Sequence, residues 1–99
     1  MSAFIIAARA QRDLEAIDEY LSDRSEDSSE RVIRELYAAF RLLSQQPGLG
    51  RRRPEWTGNA LRFWSVPAYP NYVIIYEDGV TPVRIARVLH GAMNVPIYL

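Results

Sequence analysis

Three short β-rich runs follow one another late in the chain, at residues 61–66, 72–77 and 83–90. The gaps between them carry turn chemistry, Pro67 to Asn71 in the first and Asp78-Gly79 in the second. Branched and aromatic residues separated by such short breaks specify an antiparallel meander, because gaps of this length let the chain do little but double back. The meander holds five of the eleven aromatic residues. It ends on His90, the single histidine, with Arg84 and Arg87 along its last strand. Function is therefore expected on this sheet.

The preceding half has a different period. Residues 4–7 are a short apolar run, expected to form a buried first strand. From Arg9 onward Ala10, Leu14, Ile17 and Leu21 recur at three- and four-residue steps, with Asp13, Glu15, Asp18 and Glu19 assigned to other faces. This predicts an amphipathic helix ending near Arg24. Asp27 and Glu30 have capping-box spacing. A second helix is expected to about Gln46, with Val32, Ile33, Leu36, Phe40 and Leu43 on its inner stripe and Pro47, Gly48 and Gly50 stopping it. The short connection makes the pair an antiparallel hairpin. Residues 49–59 read as an irregular link containing Arg51-Arg52-Arg53, and residues 93–99 as a tail of unassigned structure. The resulting fold is α+β, in the order β-α-α-β-β-β: a helical hairpin on one face of a small antiparallel sheet, in a single domain over residues 1–99. The sequence leaves the place of the first strand in the sheet open.

Ninety-nine residues support one core. The absence of cysteine excludes disulfides and thiolate metal sites. No apolar run approaches the ~20 residues of a membrane span, and the N-terminus lacks the pattern of a secretory leader, so the cytoplasm is the expected compartment. With one histidine and no phosphate-cradling glycine loop, neither a metal nor a cofactor is expected. The zero net charge hides an asymmetry. Residues 1–47 hold six arginines and nine acids, and residues 48–99 six arginines and three acids. All twelve basic side chains are arginine, which suits bidentate capture of carboxylates or phosphates, although a GC-rich genome is the preferred reading for most of that bias.

Alternation along the strands adds a further expectation. Residues 72–76 are apolar or aromatic on both faces, yet the helices can cover only one. In the preceding strand Leu61 and Phe63 point one way, and Arg62, Trp64 and Val66 the other. The uncovered face is expected to present Trp64 and part of the 72–76 row. Exposed apolar area of this kind marks a binding surface. In the last strand strict alternation would put Arg87 among core residues. A bulge near residues 86–87, bringing Val88 inward, is preferred over a buried partner such as Glu77 or Asp78.

Chemical signals are sparse. Glu15, Asp18 and Glu19 read as solvated helix surface rather than an acid/base pair. The arginine triplet can be a phosphate site, a solvated loop or a contact for a partner's carboxylates. A metal-independent ribonuclease needs a base, an acid and cations for the phosphorane. His90, Tyr98, Arg62, Arg84 and Arg87 could fill those roles. A strand-end His90 that only fixes its turn is the preferred reading.

The series Asp13-Leu14…Ile17…Tyr20, Leu42-Leu43…Pro47…Gly50…Arg53, Gly58…Leu61-Arg62, Tyr69…Tyr72 with Val73 to Tyr76, and Ile85…Arg87-Val88-Leu89-His90-Gly91 resembles the ParE branch of the RelE/ParE toxin superfamily, over nearly the whole chain. The resemblance implies the toxin of a type II toxin–antitoxin pair. Its partner would be a cognate antitoxin that folds on binding and wraps across helices and sheet. RelE-like relatives cut messenger RNA on the ribosome, whereas ParE-like ones poison DNA gyrase without a known catalytic set. Asn71-Tyr72 stands where the ribonucleases carry a Tyr-Arg pair, which favours the ParE side. After Gly91 the chain continues Ala92-Met93-Asn94, not the Ala-Arg-Asp common in that branch.

The favoured reading is a non-enzymatic gyrase poison. Arg87, His90 and Asn94 would lie near the target, and Arg62, Trp64 and Tyr72 near the antitoxin. Membrane and sequence-specific nucleic-acid contacts are not expected. The alternatives are a ribosome-dependent endoribonuclease using Arg62, Arg84, His90 and Tyr98, and a non-toxic antitoxin-binding relic.

Overall fold

The computed structural model describes residues 3–91. Asn94 and Tyr98 lie outside the described residues. In chain order the elements are β1 (Phe4–Ile6), α1 (Ala8–Ser22), α2 (Glu26–Gln45), β2 (Arg51–Arg52), α3 (Pro54–Thr57), β3 (Arg62–Val66), β4 (Tyr69–Glu77) and β5 (Val83–His90). The strands make one sheet in the order β1-β5-β4-β3-β2. The meander is present as expected, but the sheet is mixed. β1 runs parallel to β5, with Phe4 beside Val83 and Ile6 beside Ile85. The physical reason is the crossover. β1 leads into a helical hairpin instead of a tight turn, and a long connection lets a strand return in parallel. β1 is an edge strand and only half-buried, with Ile5 49% exposed, so the expected buried first strand is corrected.

The two helices meet the sheet through the stripes that their spacing predicts. Ala10 and Leu14 of α1 are buried, with Ile17 and Leu21 packed against the core. On α2 the buried set is Ser29, Val32, Leu36, Ala39, Phe40 and Leu43, with Ile33 half-buried. Phe40 sits edge-on between Phe4 and Tyr37, at 5.4 and 5.3 Å. Each of these large side chains contributes about 1.5–3 kcal/mol on full burial, so the stripe of α2 is the principal stabiliser of the helical layer. The cap of α2 is Ser25, not Asp27: the Ser25 hydroxyl accepts from the Ser28 N–H at 3.3 Å. Glu26 and Asp27 fall in the first turn, where the helix dipole favours acids.

The faces of the sheet are the reverse of the expectation. Leu61 and Phe63 do oppose Trp64 and Val66, but Trp64 and Val66 belong to the helix side, with Ile74, Tyr76, Val83, Ile85 and Val88. Tyr72 packs on that side as well. The second face carries Phe63, Ile75 and Leu89, with Trp56, Leu61 and Val73 against them. Ile75 is fully buried and Leu89 nearly so. Among the described residues this face is not an open greasy one, and the link that helps to close it is not irregular. Pro54 opens the single turn of α3, and Trp56 from that turn stacks edge-on over Phe63 at 5.5 Å. Helical cover goes to the larger apolar set, and the link covers the smaller one.

Candidate functional site

β5 is the strand on which the charged candidates converge, and a bulge organises it. Ile75 is opposite Arg87 and Tyr76 opposite Ile85, so Ala86 is the extra residue. Past the bulge Val88 enters the helix-side core, as expected. Arg87 is nevertheless paired. Its Nε and an Nη donate to the two Asp13 carboxylate oxygens at 2.8 and 2.9 Å, and the Val88 N–H donates to the same carboxylate at 3.0 Å. Both side chains are 13–14% exposed. β1 accompanies β5 only as far as Ile85, so Asp13 occupies the edge that β1 leaves uncovered. The partner is thus neither Glu77 nor Asp78. The sequence reading sets Asp13 off the inner stripe, yet it lies three residues after Ala10 and four before Ile17, on that stripe. That spacing is the signal that reveals it.

Arg62 has an equally engaged environment at the opposite edge. It donates through Nε to Asp78 at 2.6 Å and through Nη1 to the Gly50 carbonyl at 2.8 Å. Arg52 adds a second cation to Asp78, at 3.2 Å, and donates to the Asn59 carbonyl at 2.6 Å. Burial alone would raise the Asp78 carboxyl. The Arg62 hydrogen bond and the charges of Arg62 and Arg52 outweigh it and hold the group below its ordinary value. A carboxyl lowered in the folded state adds stability that is full above the ordinary pKa of about 4 and is lost as pH falls through the lowered value. The difference in urea stability between the wild type and Asp78→Asn should therefore narrow as pH drops from 5 towards 2.5. A difference that stays constant over that range would refute the assignment.

The remaining candidates are dispersed. Arg84 is on the second face, half-exposed, 3.8 Å from Glu77. His90 is opposite Tyr72, and the two rings meet edge-to-face at 5.2 Å. Burial raises the Tyr72 phenol, with a smaller contribution from Tyr20. Arg84 and His90 are thus separated by six residues of β5, roughly 20 Å at 3.3 Å per residue. Trp64 and Tyr72, the proposed antitoxin contacts, lie at the margin of the helix-covered side, and the Trp64 indole N–H is buried without an acceptor. Among the described residues no group of three or more His, Cys, Asp or Glu could hold a metal ion, and no described helix is long and apolar enough to cross a membrane.

The model of the family described as ParE toxin of type II toxin-antitoxin system, parDE, matches residues 4–95. The chain belongs to the ParE toxin family. A solved chain described as "Chromosomal ParDE TA system from P. aeruginosa" superposes on this ParE-family toxin with a TM-score of 0.72 and 16% identity, over 91% of this chain and 96% of that one. At that identity the likeness establishes the fold. No curated protein matches the sequence. Membership in a toxin–antitoxin family implies an antitoxin partner. Sequence reasoning missed the roles of Asp13, Asp78 and Trp56, which anchor the edges and cover of the sheet.

Proposed function

We propose that this ParE-family toxin acts without catalysis, by binding DNA gyrase and trapping its cleaved-DNA state, and that its antitoxin neutralises it. The supporting observation is the scatter of the alternative ribonuclease set. Arg62 is on the helix side at one end of β3, committed to Asp78 and Gly50. Arg84 is on the other face beside Glu77, and His90 is at the far end of β5. General acid–base catalysis needs its groups within hydrogen-bond reach of one phosphodiester, and these three do not share a site. Arg87, His90 and Asn94 remain the proposed target contacts, and the Arg87–Asp13 pair also holds the strand that presents His90.

Expression without antitoxin should arrest growth with DNA-damage signalling and filamentous cells, while transcripts stay intact by primer extension. His90→Ala should reduce the arrest. Cut transcripts that become whole in His90→Ala would establish the ribonuclease reading instead. Normal growth with soluble, folded protein would point to the antitoxin-binding relic.

A further inference from the structure

The outer edge of β3 is only partly covered. β2 pairs with Arg62 and Phe63 and goes no further. The cause is Gly50, whose N–H donates to the buried Tyr76 hydroxyl at 2.8 Å and so draws the chain toward the helix layer. Among the described residues no strand pairs with residues 64–66 on that outer side. Beside them opens a groove of about 510 Å³ lined by Arg51, Arg53, Trp56, Phe63, Trp64 and Val73, among others. An unpaired strand edge offers alternating N–H and C=O groups to an extended chain.

The charge of this groove selects its occupant. Alternation in β2 divides the arginine triplet: Arg52 turns to Asp78, whereas Arg51 and Arg53 line the groove. Arg51 is exposed and has no carboxylate partner among the described residues. Arg53 lies over the Trp56 ring at 4.0 Å and meets Glu55 at 3.1 Å. The groove therefore combines guanidinium donors, an apolar floor and a free backbone edge. Nucleic acid would satisfy the cations and stack on Trp56, but it has no use for the strand edge. An acidic peptide satisfies all three.

We propose that this groove receives an extended acidic segment of the antitoxin, added as a strand beside residues 64–66, with carboxylates on Arg51 and Arg53 and an apolar side chain on Trp56. The inference rests on the toxin–antitoxin reading and adds the location and chemistry of one contact. Arginine forks hold carboxylates bidentately, so reversing both charges replaces two attractions with two repulsions.

The test uses the full chain and the protein encoded by the adjacent reading frame. Arg51→Glu/Arg53→Glu should keep the wild-type circular dichroism and melting temperature, because both side chains are outside the core. It should weaken antitoxin binding in calorimetry about 100-fold, while Arg31→Glu on the exposed side of α2 leaves affinity unchanged. Hydrogen exchange should show new protection at residues 64–66 in the wild-type complex. Full affinity of the double variant, or no added protection at 64–66, overturns this inference alone. Absence of any binding by the wild type overturns the antitoxin reading with it. Protection at 64–66 brought by a single-stranded oligonucleotide or by self-association, and not by the antitoxin, also overturns it.

Discussion

Asp13→Ala should lower the free energy of unfolding by about 3 kcal/mol, the cost of leaving one partner of a largely buried ion pair alone. Two things are lost together. The Arg87 guanidinium, 13% exposed, loses a bidentate carboxylate, and the Val88 N–H on the edge of β5 loses its acceptor. For a chain of this size, whose total stability is on the order of 5–15 kcal/mol, that is a large fraction. Urea denaturation measures it directly. The double variant Asp13→Ala/Arg87→Met should be less destabilised than the sum of the singles, because removing both charges leaves no lone ion. Additive singles would mean that the pair is solvated and that this account of the β5 edge is wrong. Loss of growth arrest in Asp13→Ala should follow its stability and be relieved at lower temperature, which separates a structural task from target contact.

Gly50→Ala should cost a similar amount, about 3 kcal/mol, from overpacking together with lost hydrogen bonds. A Cβ at this position would lie 2.6 Å from the Tyr76 hydroxyl oxygen and 2.7 Å from its ring. Tyr76 is fully buried and cannot retreat. Its hydroxyl donates to the Pro47 carbonyl at 2.6 Å while accepting from Gly50, and the Gly50 carbonyl accepts from Arg62. Moving either residue therefore disturbs the end of α2, the start of β2 and the Asp78 cluster at once. A fall in melting temperature of roughly 15 °C is expected. Gly48→Ala is the control, since its added methyl meets nothing, and it should leave the melting temperature nearly unchanged. Equal behaviour of the two variants would refute the close-packing argument.

The long periodic elements were legible and the short ones were not. α1 and α2 run for 15 and 20 residues, enough for a 3.6-residue repeat to declare itself. The meander announced itself through alternation and turns. β2 and α3 span two and four residues, too few for any period, so the link looked irregular and the cover supplied by Trp56 went unseen. That omission explains the reversed faces: without Trp56 the second face seemed bare, and Trp64 seemed the residue to expose. Alternation told which residues share a face but not which face meets the helices. The parallel partner of β1 was hidden because nothing local distinguishes an edge strand that returns after a crossover. Of the candidate site, the β5 bulge was readable from Val88, whereas Arg87–Asp13 spans most of the chain and was readable only from the helix stripe.

The pairing of Phe4 with Val83 sets a timetable for biosynthesis. The helical hairpin can form as soon as it emerges from the ribosome, but its apolar stripe has no sheet to rest on until residues 62–90 have been made. Residue 4 cannot find its neighbour until residue 83 exists, so the finished molecule appears only after nearly all of it has been translated. A growth-inhibiting protein built this way is assembled late and all at once, and an antitoxin already present in the cell can meet it at the moment it becomes complete.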